Sequence, residues 1–140
     1  MTDLSALIRL HKHELDEKRR ILAQLYAAMS ALESERQALE DAFVREKEAV
    51  DVTGDVHFTF ASYVERVGEQ REDIRQREMA LEQEIEAAKE SLMETFSEMK
   101  KYEMTQEQRE RLEEEERLLK ESRLMDEIGL ETFRRSSEKA

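Results

Sequence analysis

Apolar residues in the first third of the chain recur in steps that alternate four and three. They begin at Leu4 and Ile8 and pass through Leu15, Leu22, Leu25, Met29, Leu32, Leu39 and Phe43 to Val50, with His11, Lys18, Arg36 and Glu46 filling the remaining positions of the same rhythm. That spacing is a heptad seam, a narrow apolar stripe along one helix that suits pairing with one other helix better than a broad globular core. It predicts a first helix over 3–50. The rhythm resumes at Phe60 and continues through Val64, Val67, Ile74, Leu81, Ile85, Ala88, Leu92, Met99 and Tyr102, interrupted by Arg71, Glu78, Thr95 and Gln106. It predicts a second helix over 60–128.

The stretch between the two arms, 51–59, reads Asp-Val-Thr-Gly-Asp-Val-His-Phe-Thr. Gly54 offers cheap positive φ, Asp and Thr offer turn and cap oxygens, and the β-branched neighbours weaken helix preference. We read it as the tip of an antiparallel helical hairpin. Setting Val50 opposite Phe60 brings Phe43 to Val67, Met29 to Leu81, Leu22 to Ala88 and Ile8 to Tyr102, so every seam position meets a seam position. Arg36 and Glu78 then fall in adjacent layers, within reach of each other. The expected hairpin core is Leu15, Leu22, Leu25, Met29, Leu32, Leu39, Phe43, Val50, Phe60, Val64, Val67, Ile74, Leu81, Ile85, Leu92 and Met99. Lys18 is expected to lay its stem along the seam with its head in water. Arg36 fits either that role or one of fixing register.

Past Gln106 the seam positions turn polar, at Arg109, Glu113, Glu116, Lys120, Arg123 and Glu127. Apolar residues reappear in another phase, at Leu112, Leu118, Leu119, Leu124, Met125 and Ile128. The second helix is therefore expected to overhang the first, to stop near Gly129 as a C-cap, and to leave 129–140 as a frayed tail. An apolar stripe without a partner on its own chain marks an interface. The whole of 1–140 is expected to form a single coiled-coil domain, all-α.

Composition narrows the function. Of 140 residues, 41% are charged, 6% are aromatic, and none is proline or cysteine. Long helices have this make-up; thick cores do not. The net charge of −12 argues against binding nucleic acid or an anionic membrane along its length. No apolar run is long enough to span a bilayer, and the start of the chain lacks the basic and apolar regions of a signal peptide, so a cytoplasmic protein is expected. There is no thiol, no glycine-rich phosphate loop and no cleft to tune the many carboxylates, so neither catalysis nor a cofactor is expected. His11 and His13 are two apart and diverge on a helix, which argues against a metal site.

Two short stretches carry a resemblance. Leu7-Ile8-Arg9-Leu10-His11-Lys12 with Leu15-Asp16-Glu17-Lys18-Arg19-Arg20 near the start, and Leu124-Met125-Asp126-Glu127-Ile128 near the end, resemble the FliJ family, the coiled-coil component of the bacterial flagellar type III export apparatus. Length, hairpin and long second helix fit the same family. The resemblance implies a non-enzymatic stalk at the inner-membrane flagellar base. Its partners would be the export ATPase hexamer, the cytoplasmic domain of the membrane export gate, and export chaperones. The end bearing the termini would enter the ATPase ring, with Leu7, Arg9, His11, Lys12, Arg19, Arg20, Leu118, Met125 and Ile128 as contact candidates. Phe58 and Tyr63, which lie near the tip and off the seam, would face the export gate. A prefoldin-like chaperone subunit and a parallel homodimeric scaffold are the alternatives; the first needs strands near the middle of the chain, the second needs each chain extended.

Overall fold

The computed structural model describes residues 3–53 and 58–138, with backbone only for Thr53 and Phe58. The fold is an all-α, antiparallel two-helix coiled coil built from α1, Ser5–Thr53, and α2, Phe58–Glu138. No strand occurs among the described residues. The pairing partner lies on the same chain, which removes the reason for an extended parallel dimer along this seam. Both helices run further than the sequence predicts. Asp51 and Val52 belong to α1, and the central tip residues, Gly54 to His57, lie outside the described residues.

The chain divides into two compact units, Met1–Lys12 with Ser97–Ala140, and His13–Phe96. In the second unit the predicted register holds at the level of atoms. Arg36 reaches Glu78 at 3.3 Å, Arg71 reaches Glu40 at 2.6 Å, and Arg77 reaches Glu35 at 2.7 Å, all across the helix pair. Lys18 near one end of the unit meets Thr95, and Phe43 near the other meets Tyr63, so the strands of the pair run in opposite directions. Leu15, Leu32, Val67, Ile74 and Ile85 are buried. Leu22, Leu25, Met29, Leu39, Phe43, Val50, Phe60, Leu81 and Leu92 are half-buried, as a two-stranded seam open on both flanks requires. Val64 is the exception in the predicted core: it remains 39% exposed. Each fully buried aliphatic side chain contributes about 1.5–3 kcal/mol.

Lys18 differs from its expected posture. Its head turns inward, donating to the Ser91 carbonyl at 3.3 Å and to the Thr95 hydroxyl. Thr95 in turn donates to the same Ser91 carbonyl, at 3.1 Å, and is itself buried. A small polar residue opposite the lysine thus supplies acceptors inside the seam, and a buried donor keeps its partners.

In the first unit, α1 starts with a local clasp. Asp3 accepts from the Ser5 backbone amide at 3.0 Å and from its hydroxyl at 2.7 Å, satisfying donors of the helix's first turn. Those hydrogen bonds hold the Asp3 carboxyl below its ordinary pKa. Gln106 of α2 accepts from the Leu4 amide at 3.2 Å and donates to Asp3 at 3.3 Å. His11 is buried with its ring stacked on Tyr102, centroids 5.2 Å apart, and Met99 is buried on α2.

From residue 110 to residue 138 every side chain of α2 is exposed. Contrary to the expected stop at Gly129 and frayed tail, helix continues to Glu138. A Cβ added at the helical Gly129 would meet nothing within 4 Å. The glycine's cost, about 1 kcal/mol relative to Ala, is too small to end a helix that Leu130, Glu131, Arg134 and Arg135 favour continuing.

Candidate functional site

With only paired helices to work from, a functional site here is a surface, and the candidates are the stretches where apolar groups stay in water. Leu118, Met125 and Ile128 are among them, at 51%, 68% and 52% exposure. They lie on one side of the continuing α2, alongside Leu124 at 56%. Around them the backbone is held by ion pairs within the helix. Arg117 is gripped from both sides, by Glu114 and by Glu121 at 2.7 Å. The Glu114 carboxyl is pulled below its usual pKa, chiefly by its hydrogen bond to Arg117. These contacts favour helix over coil, and the apolar groups beside them remain exposed.

The other predicted contact residues divide. Arg9 and Lys12, in the unit that also holds Leu118, are exposed, and Leu7 is half-buried. His11 is not available: its ring is spent on Tyr102 within the seam. Arg19 and Arg20 belong to the second unit and are exposed, with Arg20 paired to Glu17 at 2.6 Å and Arg19 to Asp16 at 3.5 Å. Leu7, Arg9, Lys12, Leu118, Met125 and Ile128 all belong to the first unit, but the start of α1 reaches α2 at Tyr102 and Gln106, and Leu118 stands further along α2.

Of the two residues expected to face the gate, the Phe58 side chain lies outside the described residues. Tyr63 is half-buried, stacked on Phe43 at 6.4 Å and beside Phe60 at 6.3 Å. Phe43 also carries the Arg71 guanidinium over its face at 4.8 Å, and Arg71 is clamped by Glu40. Tyr63 thus gives one face to a small aromatic cluster near the seam and keeps the rest in solvent. Phe43 is broad enough to reach it, which a seam pattern drawn from spacing alone does not register.

Elsewhere in the second unit, a groove of about 450 Å³ opens where Ala28, Ala31 and Ala80 leave room beside Leu32 and Leu81. Its only charged groups are Glu35 and Arg77, already joined at 2.7 Å. Nothing converges there that could act as an acid, base or nucleophile on a bound molecule. Among the described residues no cluster of three or more His, Cys, Asp or Glu side chains has the geometry of a metal site. Among them too, no helix is long and apolar enough to cross a membrane.

Comparison with known proteins adds no relative: no protein-family model, no curated protein and no solved structure matches this chain.

Proposed function

We propose that this chain is a stalk-like, non-enzymatic component of the flagellar type III protein export apparatus. It promotes assembly and activity of the export ATPase ring and couples it to the membrane export gate at the cytoplasmic face of the flagellar base, with export chaperones as further partners. The observation that carries the reading is the exposed apolar row Leu118, Met125 and Ile128 on a helix that continues past its paired stretch. A lone amphipathic helix gains most by burying such a row in a groove or ring. The exposed Arg9 and Lys12 of the same unit supply positive charge on an otherwise acidic chain. The short residue stretches that resemble the FliJ family supply the identity of the ring. A paired helix can transmit position between a ring and a membrane gate with no chemistry of its own.

The test is ATP turnover and co-purification with the cognate export ATPase. Changing Leu118, Met125 and Ile128 together to Ser abolishes stimulation and capture while the paired helices melt as before. Stimulation equal to that of the unaltered chain sinks the assignment of this row to the ring. Changing Phe58 and Tyr63 to Ser spares the ATPase and impairs coupling to the gate.

A further inference from the structure

A second apolar stripe runs along the exposed part of α2, on the side opposite the row assigned to the ATPase. Leu112, Leu119 and Phe133 stand whole heptads apart, and Leu130 falls between them on the same face. All are exposed, Leu112 at 53%, Leu119 at 56%, Leu130 at 64% and Phe133 at 71%. Leu118, Met125 and Ile128 occupy outer positions of that heptad frame, so both surfaces can be used at once.

The polar residues that share this second stripe identify what covers it. Lay a copy of the same helix against it, antiparallel, with Leu119 facing Leu130 of the other copy. Arg123 then faces Asp126, and the two-fold axis repeats both layers. Along the flanks Lys120 comes opposite Glu127, and Glu113 comes opposite Arg134. Every one of these contacts joins opposite charges. A parallel, in-register pair would instead stack Arg123 on Arg123 and Asp126 on Asp126. Among the described residues no ion pair engages Lys120, Arg123, Asp126 or Glu127 within the chain, and Arg134 is held only by a long 3.7 Å contact to Glu131. The one poor layer, Glu116 on Phe133, falls at the edge. Ser122 meets Gly129 beside the centre, two small residues where the backbones approach. The chain already uses the same device internally, where Glu35–Arg77 and Glu40–Arg71 flank the seam of its own pair.

We infer that residues 112–133 of α2 form an antiparallel, two-fold symmetric coiled coil with a second copy of this chain. Charge complementarity of the stripe with its own reversal carries the inference, and the apolar positions supply the burial. It is independent of the ATPase reading, because it uses the opposite face.

The experiment is sedimentation of the full chain over a concentration series, with circular dichroism to confirm that each variant keeps its helix. The unaltered chain shifts from monomer to dimer as concentration rises. Arg123→Glu or Asp126→Arg alone weakens dimerisation about tenfold or more, since each places like charges in two central layers. The double exchange, Arg123→Glu with Asp126→Arg, restores it. Because the natural chain has no cysteine, disulfides read the geometry directly. Leu119→Cys with Leu130→Cys oxidises to a covalent dimer; the two sites lie roughly 16 Å apart on one helix and cannot close within it. Leu119→Cys alone does not crosslink. A chain that stays monomeric into the millimolar range overturns the inference, as does crosslinking by Leu119→Cys alone, which marks a parallel pair. Loss of ATPase binding in both single charge variants, without rescue by the double exchange, also overturns it and gives this stripe to the ATPase instead.

Discussion

Residues 13–96 and residues 110–138 are equally helical, and they are helical for different reasons. In the first stretch the helix pair is fixed by side chains that leave water: Val67 at 1% exposure, Leu15 and Ile74 at 3%, with ion pairs laid across the flanks. In the second, no side chain is buried, and order comes from strong helix formers and from ion pairs along a single helix, such as Glu114–Arg117–Glu121. Packing supplies most helix stability in folded proteins. The long single helix therefore keeps two apolar stripes in water, while the paired stretch has already spent its apolar face.

The sharpest way to break that contrast is to cut a cavity in each. Ile74→Ala removes a buried side chain from the seam and should cost about 2–5 kcal/mol in urea unfolding, because the two helices cannot close fully around the gap. Leu124→Ala, at 56% exposure, should leave the same unfolding midpoint within about 0.5 kcal/mol. Equal losses in the two variants would mean that the far part of α2 folds onto apolar surface in solution.

The paired stretch was legible in the sequence because its signal is geometric. A seam in strict four-three rhythm fixes which face is buried, and matching the two seams narrows the register to a heptad; the register that sets Val50 opposite Phe60 puts Arg36 within reach of Glu78, and the structure pairs them. What escaped was set by neighbours off the seam or by small energies. The inward turn of Lys18 depends on Thr95, a polar residue at a seam position that looked like an interruption and instead supplies an acceptor. Tyr63 is drawn in by the breadth of Phe43. Val64 stays 39% exposed although its spacing is right; nothing in the structure explains it. Gly129 looked like a stop because glycine often ends helices, yet here Leu130 and Phe133 follow it in helix, and Thr132 donates back to the Ile128 carbonyl at 2.8 Å. Of the surface candidates, spacing placed Leu118, Met125 and Ile128 off the seam, where they stay exposed; it also put His11 on the seam, where its ring stacks on Tyr102, and only the resemblance offered His11 as an outward contact.

The two helical glycines offer a smaller and cleaner comparison. Gly68 lies in the paired stretch and Gly129 in the exposed one, and a methyl group at either would meet nothing within 4 Å. Alanine therefore changes helix preference alone, by up to about 1 kcal/mol. Gly68→Ala should raise the unfolding midpoint of the pair by that margin. Gly129→Ala should raise mean helicity by circular dichroism and leave the midpoint where it was. A midpoint shift in both would show that the whole of α2 unfolds as one cooperative element.

The smallest effect expected is that of acid on the flanking ion pairs, and its direction follows from the carboxylates. Glu35 and Glu40 both sit below their ordinary pKa of 4.5, held there first by hydrogen bonds from Arg77 and Arg71 on the opposite helix. A carboxyl whose pKa is depressed on folding stabilises the folded state fully above its unfolded value, and that contribution disappears as pH falls through the folded value. Both groups are solvent-exposed, so each pair is worth little, and the informative quantity is a difference between proteins. Glu35→Gln with Glu40→Gln should melt below the unaltered chain at pH 7, and the gap should narrow steadily below pH 4.5. Glu72 provides the contrast: it is pulled to about 2 by Arg75 and Gln76 of its own helix. Its contribution acts on helicity and survives to lower pH than the cross-helix pairs. Thermal melts of both proteins from pH 7 to pH 2 decide the matter. A gap that persists unchanged at the acid end would mean that the glutamines disturb packing at the groove beside Ala31 and Leu32, and that charge across the pair is not what they removed.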